Sequence, residues 1–206
     1  MKHLVTILLL SLSYSIFAQE EKNDFDRFNI YLSGGLGFGE VINDNAPNYN
    51  LNTNTAHIVF NYKFLPLFGV ATGFNYSDLS GNGFDSIGNF HHKRSSLKVP
   101  LMLTFGGNVY NNFSINLELG AYAQAALNDE YNYLNMNYSD VYTDWNFGGH
   151  IGVYFLYQIS DDVSFGVQYV GQSDFTKIES SNSSVTPNKQ LIDNLNSIGF
   201  CTRFNF

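Results

Sequence analysis

The chain is poor in charge, cysteine, proline and long apolar runs. Of its 206 residues 14% are charged, against about 25% in an ordinary soluble domain. Lys and Arg number 10 against 18 Asp and Glu, and an acidic chain makes a poor partner for nucleic acid. Cys201 is the single cysteine, which excludes an internal disulfide framework. No segment reaches the ~20 apolar residues of a membrane-spanning helix. A phosphate loop, zinc-ligand spacing and a nucleophile elbow are all missing. The expectation is therefore no metal, no cofactor and no enzymatic activity.

What the chain does have is aromatic side chains. Phe and Tyr number 19 and 14, and aromatics make up 17% of the chain, yet the mean hydropathy is only −0.13. Greasy and polar residues therefore alternate instead of forming blocks. The final stretch shows this best. Ile198, Phe200, Thr202, Phe204 and Phe206 share one face, and Gly199, Cys201, Arg203 and Asn205 share the other. Period two means a strand. An unpaired aromatic strand at a chain end would invite aggregation, so closure of a barrel against the first strand is expected.

The same alternation recurs through the chain. Residues 1–18 read as a signal peptide: Lys2 and His3, an apolar run from Leu4 to Leu12, and Ile16-Phe17-Ala18 before the cut. Residues 19–26 form a short periplasmic tail, and residues 27–206 the barrel. Eight strands are expected, at about Arg27–Gly39, Ala56–Phe64, Phe68–Tyr76, Arg94–Phe105, Phe113–Gln124, Trp145–Tyr157, Val163–Tyr169 and Ile198–Phe206. The connections between them alternate long and short, as in outer-membrane barrels with long outside loops and brief periplasmic turns. Phe28, Tyr62, Phe64, Phe68, Phe105, Phe113, Tyr157, Phe204 and Phe206 cluster near the short turns. Phe38, Tyr76, Trp145 and Phe147 cluster near the long loops, giving two interfacial girdles.

The expected fold is all-β, an eight-stranded antiparallel up-and-down transmembrane β-barrel. A soluble lipocalin-type barrel is the rival. Against it stand a greasy face almost free of charge, a small-residue opposite face, and a last strand ending in Phe204 and Phe206. That ending resembles the signal read by the outer-membrane insertion machinery.

A barrel of this size is filled by side chains. Its inward charges include Lys98, Glu118, Arg203 and Arg94. Lys98 and Glu118 lie on neighbouring strands and are expected to pair, with Arg203 and Arg94 completing an ion-pair network. Buried charges need such partners, because an unpaired one costs several kcal/mol. Outside, the loops Asp78–His92 and Leu127–Thr143 offer a candidate binding surface of Asp78, Asp85, Asp129, Glu130, Tyr131 and Tyr133. Asp78, Ser80, Asn82, Gly83 and Asp85 partly match a calcium loop, but Asn89 stands where its last acidic ligand belongs. His91 and His92 are adjacent on a strand and so point to opposite sides, a poor chelate.

Leu97-Lys98-Val99-Pro100-Leu101-Met102-Leu103 resembles the L-x-I-P-L-x-L strand of the PorT-like outer-membrane β-barrel family. Proline inside a sheet commonly marks a bulge, which makes the match more specific than alternation. Val99 departs from the usual Ile, and Thr104-Phe105 from a frequent Lys-Tyr. The resemblance implies a Gram-negative outer membrane, with lipid and lipopolysaccharide as surroundings. It also implies secretion or surface-assembly proteins as partners. A structural or assembly role is the expected function. A surface adhesin or ligand binder is the alternative, and a lipid-modifying enzyme the third reading.

Overall fold

The computed structural model describes residues 26–142, 144–180 and 188–206. The expected signal peptide and all but the last residue of the tail lie outside the described residues. The described residues form β1 (Phe28–Asn43), β2 (Tyr49–Lys63), β3 (Phe68–Phe84), β4 (Asn89–Tyr110), β5 (Phe113–Tyr133), β6 (Asn137–Ser139), β7 (Trp145–Gln158), β8 (Val163–Asp174), β9 (Ile178–Glu179) and β10 (Lys189–Asn205). Eight of these pair in the order β1-β2-β3-β4-β5-β7-β8-β10, and β10 pairs back onto β1. The sheet has no free edge, so the exposure hazard of an aromatic last strand is removed. Short β6 and β9 pair with β5 and β10 at one end of the barrel.

The closing seam explains the glycines of β1. A Cβ on Gly37 would lie 1.9 Å from the Asn196 carbonyl oxygen, and one on Gly199 would lie 1.9 Å from that of Gly34. Close strand approach, not phosphate binding, is what these positions require.

The strands are longer than the sequence suggests. β4 runs for 22 residues and β5 for 21, roughly twice the ~9–11 that cross a bilayer. The outer face divides accordingly. Leu36, Leu101, Leu103, Leu119, Ile198 and Phe200 lie in an exposed apolar belt. Beyond it, on the side away from the termini, the outer face turns polar at Asn54, Asp78, Ser95 and Asn128. The regions expected as the Asp78–His92 and Leu127–Thr143 loops are largely extended hairpin here. The first is closed by residues 85–88 between β3 and β4.

Two features break the alternation. Ser95 pairs with Asn128 but Ser96 with Ala126, so Leu127 is an extra residue in β5. Such a bulge reverses which residues face inward. A second shift between β1 and β10 lies at Asn194, whose φ is 50°. Pro100 causes none. The register between β4 and β5 passes through it unshifted, and Thr72 Oγ1 donates to its carbonyl at 2.7 Å. The proline marks a missing donor, and the bulge sits elsewhere.

Apolar and polar layers alternate inside. Tyr31, Val59, Met102, Tyr154, Leu156 and Cys201 fill the half nearer the termini. Val41, Leu51, Leu79, Ile192 and Leu195 form a second apolar layer further along.

Candidate functional site

Buried charges are balanced in number in the described interior: Arg94, Lys98 and Arg203 against Glu118, Asp129 and Asp174. They do not form the expected single network. The turn between β4 and β5 is Asn111-Asn112, beyond Tyr110. This register sets Glu118 opposite Thr104, and Lys98 opposite Gln124. Lys98 and Glu118 therefore make no direct pair, which corrects the sequence expectation.

A relay connects them instead. Lys98 Nζ donates to Gln172 Oε1 at 2.6 Å. Gln172 Nε2 bonds His150 Nδ1 at 3.0 Å. His150 Nε2 reaches Glu118 Oε2 at 3.3 Å, and Tyr154 donates its hydroxyl to the same oxygen at 2.8 Å. With the amide donating to Nδ1, the imidazole carries its proton on Nε2 and donates it to the carboxylate. Lys98 also sits 4.7 Å from the Tyr122 ring centroid, whose hydroxyl donates to Asp174 at 2.6 Å. Arg203 stands apart, donating to Ser164 Oγ at 3.0 Å.

Arg94 belongs to a second cluster, in the part of the barrel beyond the apolar belt. Its Nε donates to Asp129 Oδ2, and its Nη2 donates to Gln190 Oε1 at 2.9 Å. His92 Nε2 meets the same Asp129 oxygen at 3.1 Å. Its Nδ1 then accepts from the Tyr49 hydroxyl at 2.8 Å. Tyr131 bonds that hydroxyl at 2.8 Å and accepts from Gln190 Nε2 at 2.8 Å. Burial raises the Asp129 carboxyl, but the adjacent Arg94 overrides it and holds the group below the ordinary carboxylate range. Burial pulls the His92 imidazole below its ordinary value despite the carboxylate beside it. His92 is thus a neutral donor, and Asp129 a charged acceptor shared by two groups.

Above this floor lies a cavity of about 320 Å³. Tyr49, Phe90, Tyr131, Tyr133, Tyr138 and Tyr142 line it together with Asn43, Asn45, Asn188 and Gln190. Phe90 is the hub of the rings, with centroids 5.1 Å from Tyr49 and Tyr131 and 5.6 Å from Tyr133. Burial pushes the Tyr142 phenol up to about 12, so it stays a neutral donor.

The expected loop surface divides between inside and outside. Asp85, Tyr131 and Tyr133 line the cavity, and Asp129 is fully buried beneath it. Asp78 faces outward and accepts from Ser95 Oγ at 2.9 Å. Glu130 is bound by Asn128 Nδ2 at 3.1 Å on the outer wall. The Leu127 bulge is the reason, because it turns Asp129, Tyr131 and Tyr133 inward. The partial calcium motif is not a cradle either. Asp78, Ser80 and Asn82 lie along β3, and Ser80 and Asn82 bond the His91 ring. Asp85 binds the amides of Ile87 and Gly88. No group of three metal-ligating side chains occurs among the described residues. As expected, His91 and His92 part, His92 inside and His91 on the wall.

Sequence reasoning missed Gln172, Asp174 and Gln190. The first two continue the inward parity of Gln168 and Val170 in β8, so extending that alternation would have found them. Gln190 gave no such signal, because the Asn194 bulge reverses the parity of β10 before it.

Fold and filled interior define a closed, eight-stranded antiparallel β-barrel of the outer-membrane type. Solved structures of this class are similar to it over nearly their whole length. Neisserial surface protein A is 11% identical, with a TM-score of 0.53 over 86% of this chain and 97% of that one. OprG from Pseudomonas aeruginosa is 15% identical, with a TM-score of 0.54 over 88% and 97%. A major outer membrane protein from Thermus thermophilus is 11% identical, with a TM-score of 0.54 over 87% and 99%. No protein-family model and no curated protein matches the chain.

Proposed function

We propose that this chain is a non-enzymatic barrel of the bacterial outer membrane, acting as a structural or assembly component of the envelope in the manner of PorT-like proteins. The observation that carries the reading is the uncharged apolar belt around a barrel whose interior is filled and charge-balanced. Such a body suits lipid outside and needs no transported solute inside. The Pro100 strand supports kinship with PorT-like barrels, and Phe204 and Phe206 suit recognition by the insertion machinery. Orientation follows from the same logic. The start of β1 and the end of β10 lie at the end bounded by the tight turns, which would face the periplasm, and the extended hairpins would face outside, among lipopolysaccharide.

The test is crosslinking of the tagged protein in native outer membranes, followed by mass spectrometry. Secretion or surface-assembly proteins are the expected partners. Recovery of the barrel alone, across repeated crosslinkers, would sink the assembly role.

A second reading has one observation in its favour. The aromatic and amide cavity, at the mouth that this orientation turns outward, suits a surface ligand-binding barrel.

A further inference from the structure

We infer that the mouth cavity is a binding site for a neutral saccharide of one or two rings; this rests on the ligand-binding reading above. The first argument is charge. Asp85 is the one charged residue among the described lining residues, and its carboxylate is occupied. Oδ1 accepts from the Ile87 and Gly88 amides at 2.8 and 3.2 Å, and Oδ2 accepts from the Tyr133 hydroxyl at 2.5 Å. It has little left for a cationic ligand. Arg94, beneath the floor, has its Nε on Asp129 and its Nη2 on Gln190, so it offers little to an anion. A charged guest would give up water in this pocket without meeting a free opposite charge, at a desolvation cost.

The second argument is the mixture of lining groups. Aromatic rings, which suit the C–H faces of a pyranose, share the lining with primary amides. Gln190 Oε1 accepts from Arg94 and Asn188 Oδ1 from Asn45, and each amide oxygen has a second lone pair for a sugar hydroxyl. A sugar ring has both surfaces at once. The volume of about 320 Å³ lies at the small end of ligand pockets and limits the guest to one or two rings.

The third argument is preorganisation. The amides are braced before any ligand arrives: Gln190 Nε2 and Asn188 Nδ2 both donate to Asn43 Oδ1 at 2.7 and 2.8 Å. Asn45 N donates to Asn188 Oδ1 at 3.0 Å. Below, the Tyr49–His92–Asp129–Arg94 cluster fixes the floor. Little side-chain entropy remains to be lost on binding.

The experiment uses the barrel purified from membranes in a polyoxyethylene detergent, which carries neither sugar nor ammonium. Glucose, N-acetylglucosamine and maltose are titrated by saturation-transfer NMR and tyrosine fluorescence, with tetramethylammonium and sulfate alongside. At least one saccharide should bind saturably, and Tyr138→Ala should weaken it about tenfold, the loss of one ring contact. Phe84→Ala, at the rim of the same cavity, gives an independent second variant. Both should keep the gel mobility shift between unboiled and boiled samples, so that lost binding is not lost folding. Binding of tetramethylammonium or sulfate alone overturns the saccharide assignment and leaves a ligand-binding barrel of another kind. Saccharide binding unchanged in both variants overturns the site. Absence of binding by every probe overturns the inference and the ligand-binding reading together.

Discussion

Asp129 is the residue on which the mouth depends. It is fully buried, and one of its oxygens serves both Arg94 and His92. Asp129→Asn leaves the guanidinium buried without its counter-charge, a loss of about 3–5 kcal/mol. Urea unfolding in detergent should show it, whereas Asp129→Leu combined with Arg94→Met should cost much less. Loss in both would mean that packing, not charge, holds the mouth. The pH dependence has a definite sign. The lowered Asp129 group stabilises the fold above its unfolded value of about 3.9 and loses that contribution as pH falls through its folded value. The lowered His92 group adds a penalty as pH falls below about 6.5, because the unfolded chain then takes up a proton that the folded one does not. Both act in one direction. Through His92, hydrogen exchange of the β4 and β5 backbone around Arg94 and Tyr131 should therefore lose protection between about pH 6.5 and pH 4, and through Asp129 it should lose more below about pH 3.9. Greater protection in acid would contradict the assignment of a neutral His92 and a charged Asp129.

At the scale of the strand, one residue breaks the alternation of β5. Deleting Leu127 joins Ala126, which pairs with inward Ser96, directly to Asn128, so Asn128 and Glu130 stay outward and Asp129, Tyr131 and Tyr133 stay inward. The readout is a cysteine at Glu130→Cys. Cys201 is buried, so a bulky maleimide should label position 130 in the intact barrel and in the deletion variant alike. Labelling lost in the deletion variant would show that the strand has slipped by one residue and that the bulge holds the register of the mouth. This bulge is also where the sequence stops being readable. Every barrel strand was visible from alternation, because inside and outside impose opposite demands on successive residues. From Leu127 onward the pattern inverts, and an inverted strand of Asn, Asp and Tyr reads as loop. The same happens at Asn194 ahead of Gln190. Inward charges such as Arg94 and Lys98 could be named from β4 alone, since its parity is unbroken. Their partners could not, because Asp129 is turned inward only by the Leu127 bulge, and Gln172 and Gln190 reach across the barrel from β8 and β10, which period two along one strand does not fix.

For the whole molecule the decisive question is what surrounds the belt, since closed barrels with alternating faces exist in water and in lipid alike. Leu101 is 71% exposed in the middle of the belt and Leu134 is 95% exposed in the turn beyond β5. In water, replacing either with Arg would be harmless, because both side chains already face solvent. In a bilayer the two positions differ. Leu101→Arg would bring a charge near the midplane, at a cost of about 2–4 kcal/mol, while Leu134→Arg, clear of the hydrocarbon, would cost about 0–1 kcal/mol. Refolding both variants into lipid vesicles across a denaturant series measures the difference directly. A selective loss for Leu101→Arg is the expected result. Equal stability of the two would mean that the belt is not in contact with lipid, and the outer-membrane assignment would fall with it. The filled interior adds a second expectation for the same vesicles. Alternating apolar layers around Met102 and Leu51 interrupt any continuous water column, so planar bilayers carrying the barrel should show no stepwise conductance. Steps that persist after Met102→Phe, which adds bulk to the layer nearer the termini, would require a path around that layer and a different account of what the charges inside are for.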